Sequence, residues 1–167
     1  MGDLLLLTLG PRKSMVRGTR AVDWYDRGCA FEQARRFDEA IAAYLRALAG
    51  WPELADANNN LGHMLHERGD LAAAESHYRL ALCGDPNIAL FWFNLGVVIE
   101  DLGRRAEAIA AYERALELDP EFADSHYNLA RLYQGMACTT HDELVMRRAI
   151  RHLASYRRLA GSQVRIR

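Results

Sequence analysis

The stretch WFNLGVVIEDLGRRAEAIAAYERALELDP, residues 92–120, reads as two helices joined at Leu102-Gly103 and stopped by Pro120. Thirty-four residues earlier, and thirty-four before that, the same landmarks return. Gly96 aligns with Gly62 and Gly28, Ala108 with Ala74 and Ala40, and Tyr112 with Tyr78 and Tyr44. Ala115 likewise aligns with Ala81 and Ala47, and Pro120 with Pro86 and Pro52. Five columns held over three rows identify an array of stacked units, each too small to bury its apolar face alone.

Each column has a physical cause. Gly28, Gly62 and Gly96 lack a Cβ, which lets the first helix of each unit lie close to the second, where Ala40, Ala74 and Ala108 present only a methyl group. Tyr44, Tyr78 and Tyr112 supply the large apolar area between one hairpin and the next. Pro52, Pro86 and Pro120 suit a first helical turn but not an interior, so they separate units. Gly69 and Gly103 fall where the paired helices turn, whereas the first unit has Ala34-Arg35-Arg36 there, a weaker turn signal.

Trp92-x-x-Leu95-Gly96, Ala108-x-x-x-Tyr112 and Pro120 follow the tetratricopeptide signature, with Ile99 where an aromatic is usual. On these motifs the chain resembles the tetratricopeptide-repeat family over roughly residues 21–160. The resemblance implies an all-α fold, a right-handed superhelix of helix-turn-helix units with about four repeats and a long C-terminal helix. The expected division is a non-repeat segment over 1–20, repeats over 21–54, 55–88, 89–122 and 123–160, and a tail over 161–167.

The fourth repeat begins on pattern with His126, Leu129, Ala130 and Tyr133. The small residue then due at position 142 arrives only as Ala149, an insertion of about seven residues. Thr140-x-x-Glu143 reads as a capping box, so the last helix is expected from about His141 to Ala160, with Gly161 near its C-cap. The apolar Leu4 to Leu9 stand outside the array. They read as an extended strand, a packing segment over the first hairpin, or the end of another domain, and a homo-oligomer joined through this segment stays open.

Hydrophobic residues make up 50% of the chain and charged residues 26%, with a net charge of -1, as in ordinary globular proteins. Arg147, Arg148, Arg151, Arg157, Arg158, Arg165 and Arg167 crowd the C-terminal end, which either solvates the last helix or meets something acidic. Lys13 is the only lysine, a bias associated with GC-rich bacterial genomes. Cys29, Cys83 and Cys138 form no CxxC pair, the N-terminus has no cleavage site, and no run approaches the ~20 apolar residues of a membrane span. A cytoplasmic protein with no membrane contact is the resulting expectation.

No phosphate loop, nucleophile elbow, HExxH helix or paired-cysteine site is present, so neither an enzyme nor a cofactor is expected. His63 and His66 are spaced to share a metal but lack an evident third ligand. Glu100 and Asp101, adjacent on a helix, point apart and make a poor acid-base pair.

The resemblance places the sixth residue of each repeat, Asp26, Asn60, Asn94 and Asn128, on a concave groove. Asparagine carries an acceptor and two donors on a short side chain, which suits pairing with the backbone of an extended peptide, although bonds to neighbouring helices would use the same groups. Before them stand Tyr25, Asn59, Phe93 and Tyr127, and the ninth positions hold Cys29, His63, Val97 and Arg131. The expected role is a scaffold or adaptor binding a protein or peptide ligand in this groove.

Repeats that clamp the carboxylate of heat-shock chaperone tails pair asparagine with lysine or arginine. Tyr25, Asn59, Asn94 and Asn128 occupy the candidate positions here, so the cations are missing and such a receptor is disfavoured. The run from His126 to Leu159 is faintly similar to repeat tails of bacterial MerR-type regulators. A regulator's assembly or sensory tail, or a subunit of a secretion or envelope complex, is the alternative role. No helix-turn-helix precedes the repeats, so no direct contact with nucleic acid is expected.

Overall fold

The computed structural model describes residues 12–163, with side chains from Arg20 to Gly161. The expectations for Leu4 to Leu9, and for most of the 161–167 tail, lie outside the described residues. Eight helices follow one another: α1 (Arg12–Gln33), α2 (Phe37–Gly50), α3 (Ala55–Glu67), α4 (Leu71–Gly84), α5 (Ala89–Asp101), α6 (Arg105–Leu118), α7 (Ala123–Thr140) and α8 (Glu143–Gln163). Among the described residues there is no strand. The helices pair as α1 with α2, α3 with α4, α5 with α6 and α7 with α8, and each second helix then packs on the next first helix. The result is the all-α, right-handed superhelix that the repeat period implies. The repeat boundary drawn at residue 21 falls inside α1, which begins at Arg12.

The glycine column works differently from the expectation that small faces small. A Cβ on Gly28 would lie 2.4 Å from the Tyr44 ring, and one on Gly96 would lie 2.7 Å from the Tyr112 ring. At Gly62 it would meet both the Tyr78 ring at 3.0 Å and the Ala74 carbonyl at 3.3 Å. The glycine therefore makes room for its own repeat's tyrosine, which lies fully buried in all three. Arg35, Gly69 and Gly103 all adopt the left-handed conformation, with φ of 58°, 82° and 81°. The first turn thus keeps the shape of the others with a side chain that pays conformational strain there.

In the second, third and fourth repeats the fourth residue also has a shared task. The side chains of Asn58, Trp92 and His126 donate to the carbonyls of Pro52, Pro86 and Pro120 at 2.9, 2.8 and 3.1 Å. Three unlike residues thus satisfy one backbone acceptor that each repeat boundary leaves open.

In the fourth repeat the insertion is absorbed by α7, which runs for 18 residues where α3 and α5 have 13. The expected capping box does not form. Thr140 Oγ1 turns back to the Met136 carbonyl, and Asp142 caps α8 by accepting from the Leu144 and Val145 amides. His141, in the left-handed conformation, ends α7 and aims the chain into α8.

The first helix meets solvent where its counterparts meet a preceding repeat. Ala57, Phe91 and Ser125 are buried in one column, Leu61, Leu95 and Leu129 in a second, and Met64, Val98 and Leu132 in a third. The same columns in α1 hold Asp23, Arg27 and Ala30, all exposed. Polar substitution of this kind is how a solenoid closes an end.

Candidate functional site

α3 packs directly on α5 in addition to its own partner, which puts the first helices on the inside of the curve. The sixth residues come together there with groups from the neighbouring repeat. Asn60 Nδ2 donates to the Tyr44 hydroxyl at 3.2 Å, and that hydroxyl donates to Glu32 Oε2 at 2.6 Å. His63 Nδ1 stands 4.0 Å from the same carboxylate. Two repeats on, the set returns: the Tyr112 hydroxyl donates to Glu100 Oε2 at 3.1 Å, Asn128 neighbours that hydroxyl, and Arg131 pairs with Glu100. Burial, with a carboxylate close by, pushes the ionisation of Tyr44 and Tyr112 well above the ordinary tyrosine value, so both remain hydrogen-bond donors.

The middle junction is built from amides instead. Asn94 Nδ2 donates to Asn59 Oδ1 at 2.8 Å, and Asn59 Nδ2 donates to Asn60 Oδ1 at 3.2 Å. Asn59 is only 7% exposed, so it lies beneath the surface of the groove rather than on its edge. The amides of Asn60, Asn94 and Asn128 thus serve first to join repeats. Asn94 keeps its carbonyl oxygen without a partner among the described residues.

The aromatic positions divide in the same way. Phe93 packs between the rings of Tyr112 and Phe122, at centroid distances of 5.7 and 5.1 Å, and Tyr25 packs on Tyr44 at 6.0 Å. Tyr127 sits 5.2 Å from Tyr156 yet remains 46% exposed. Asp26, His63 and Arg131 are exposed and Val97 is half-buried. His63 also borders an open cleft of about 710 Å³ with Glu32, Arg35, Phe37, Met64 and Glu67.

His63 and His66 turn to opposite neighbours: His63 faces Glu32 of the first repeat, while His66 Nε2 lies 2.6 Å from Asp101 Oδ2 of the third. Among the described residues no three histidine, cysteine or acidic side chains are placed to hold a metal. Among the same residues no helix is long and apolar enough to cross a membrane. The staple of Tyr44, Glu32 and Asn60 escaped sequence reasoning, although the recurrence of tyrosine, glutamate and asparagine two repeats later was a usable signal.

Known proteins share this arrangement. A family model described as "Tetratricopeptide repeat" matches residues 25–87, and one described as "TPR repeat" matches residues 100–136. A comparison of the sequence with curated proteins gives no match. A crystal structure of MamA superimposes with a TM-score of 0.76 at 17% identity, covering 92% of this chain and 86% of that one. MamA from Desulfovibrio magneticus RS-1 gives 0.72 at 20% identity, covering 86% and 77%. The first repeat domain of Spaghetti (RPAP3), bound to the HSP90 peptide SRMEEVD, gives 0.69 at 24% identity, covering 72% and 95%. With the period, the glycine–tyrosine contacts and the superhelix already in place, these matches show that the chain belongs to the tetratricopeptide-repeat family.

Proposed function

We propose that the inner face of this array holds an extended segment of a partner protein, the chain acting as an adaptor with no catalytic step of its own. The observation that carries the reading is the row of Asn60, Asn94 and Asn128 at a step of one repeat, with the Asn94 carbonyl oxygen unengaged and Tyr127, next to Asn128 in sequence, exposed. A repeat advances the inner surface by about one helix-pair width, roughly 10 Å, which an extended peptide covers in about three residues at ~3.3 Å each. The row therefore matches the period of a strand-like ligand. In the Spaghetti structure an HSP90 peptide occupies a domain of this fold, which supports a peptide-binding role for the architecture.

Each amide adds about 0.5–1.5 kcal/mol net through backbone hydrogen bonds, so affinity is moderate and sequence tolerance broad. Asn94→Ala with Asn128→Ala is expected to weaken binding of the natural partner by about tenfold or more. The experiment compares calorimetric titrations of the purified partner into the parent chain and the double variant, with melting curves to separate lost binding from lost inter-repeat contacts. Unchanged affinity in a folded double variant would move the binding site off the inner face.

A further inference from the structure

The outer side of α8 differs from the same side of α2, α4 and α6. With Ala149 in the column of Ala40, Ala74 and Ala108, Ile150 falls with Ile41, Glu75 and Ile109, and Arg157 falls with Leu48, Leu82 and Leu116. In the earlier repeats these two columns face the next first helix. Ile41, Leu48, Ile109 and Leu116 pack partly buried against the core, Leu82 is buried, and Glu75 is gripped by Arg104 of the following repeat. Ile150 has no such cover and is 59% exposed.

Ile150 and Ala154, one turn apart, make a narrow apolar seam along α8. Arg157 lies on one side of it, and Arg147, Arg151 and Arg158 lie on the other, all exposed. Among the described residues Arg151, Arg157 and Arg158 have no carboxylate partner, whereas Arg36, Arg79, Arg104 and Arg114 do. Arginines alone would make a solubilising cap. An uncovered isoleucine in a column that the array elsewhere half-buries is not part of such a cap: at the α1 end two of the three stacking columns carry the charges of Asp23 and Arg27, and the third only the small Ala30.

We propose that α8 is a second docking surface, on which an acidic amphipathic helix of a partner protein stacks where a fifth repeat would begin. Its apolar side covers Ile150 and Ala154, and its carboxylates meet the arginines on both flanks, the arrangement by which charges beside an apolar seam select a helical partner. Charge and apolar cover together disfavour the nearer occupants. A second α8 would set arginine against arginine, α1 of another copy carries Arg27 beside Asp23 and only Ala30 as apolar cover in its stacking columns, and Arg165 and Arg167 follow α8 in sequence. Nucleic acid would engage the arginines and leave the seam of Ile150 and Ala154 unused.

The test uses the full chain and a synthetic 18-residue helical peptide with a leucine seam flanked by glutamates, against a control with lysine at each glutamate position. Binding is read by fluorescence anisotropy. The acidic peptide is expected to bind, with affinity falling as salt is raised, and the lysine peptide is not. Arg151→Glu with Arg157→Glu, and separately Ile150→Asp, should each weaken binding tenfold or more, while Asn94→Ala with Asn128→Ala leaves it unchanged. Arg151→Gln with Arg157→Gln serves if the charge reversal unfolds the chain, and melting curves check each variant. Equal binding of the two peptides, or indifference to the arginine and Ile150 changes, would overturn the proposal. So would tighter binding to a duplex DNA or to anionic vesicles, or self-association of the parent chain that Ile150→Asp abolishes, which would make a second copy the occupant.

Discussion

At Gly96 the space for a side chain is already filled by the ring of Tyr112, 2.7 Å from where a Cβ would stand. Gly96→Leu must therefore displace a fully buried tyrosine in the third repeat, and overpacking of this kind costs about 1–3 kcal/mol or more. A thermal melt of the variant should show a marked loss of stability, and an unchanged midpoint would contradict the packing described here. Arg35 presents the opposite case. It holds φ at 58° where the second and third repeats use glycine, and among the described residues its guanidinium has no hydrogen bond or ion pair to offset the strain. Arg35→Gly should raise stability by about 0.5–1 kcal/mol, the relief of left-handed strain less the added freedom of glycine in the unfolded chain. A lower melting temperature for that variant would mean that the Arg35 side chain contributes more than its backbone costs.

At the scale of the element, the α7–α8 pair is joined by a histidine contact. His126 donates from Nε2 to the Pro120 carbonyl at 3.1 Å, which leaves its Nδ1 to accept the Nδ1–H of His152 at 2.9 Å. Burial, and then the neighbouring His126, hold the His152 ionisation below its ordinary value of 6.5. Arg148 and Arg151 act in the same direction and Glu113 opposes them. Because the unfolded chain binds the proton more readily, the contact's stabilisation is fully present above pH ~6.5 and declines as the pH falls towards the folded value. Urea titrations at pH 7.5 and 5.5 should show the parent losing stability on acidification, and His152→Gln losing less. His77, which burial shifts the same way, contributes a share that remains in the variant.

These elements also show what could be read from the chain. The hairpins, their order and an insertion in the fourth repeat followed from the 34-residue period, because glycine, alanine, tyrosine and proline each answer to a local packing demand, but that α7 takes up the insertion did not. The position-four column of Asn58, Trp92 and His126 did not, since three chemically unlike side chains meet one requirement and leave no letter in common. The inner face was half legible. Asparagine at the sixth position pointed to the groove, but whether an amide bonds to a ligand or to the next repeat depends on what stands opposite. Asn59 is bonded by Asn94 one repeat away, and Phe93 is covered by Tyr112 and by Phe122, 29 positions along at the end of its own repeat. The Thr140 capping box failed because Asp142, placed later, offered the α8 amides a closer acceptor.

For the molecule as a whole, stability resides in the junctions between repeats, so what happens at the two ends decides whether copies stay apart. The α1 end is closed by Asp23 and Arg27, standing where the later first helices bury apolar side chains. Asp23→Ala with Arg27→Leu would restore an apolar stacking surface there. Light scattering is expected to show a larger particle for this variant than for the parent chain, with mass rising with concentration. Identical profiles would show that the charged pair is not what closes that end.

The junctions themselves alternate. On the inner face, tyrosine, glutamate and asparagine staple the first repeat to the second and the third to the fourth, while an amide pair takes that place between the second and third. The unit that could be copied without breaking this phase is therefore a pair of repeats, not one. Each tyrosine and its glutamate belong to one repeat, Tyr44 with Glu32 and Tyr112 with Glu100, so a single internal duplication would keep donor with acceptor and change only the alternation. Duplication of a tandem pair would reproduce the alternation as well as every staple.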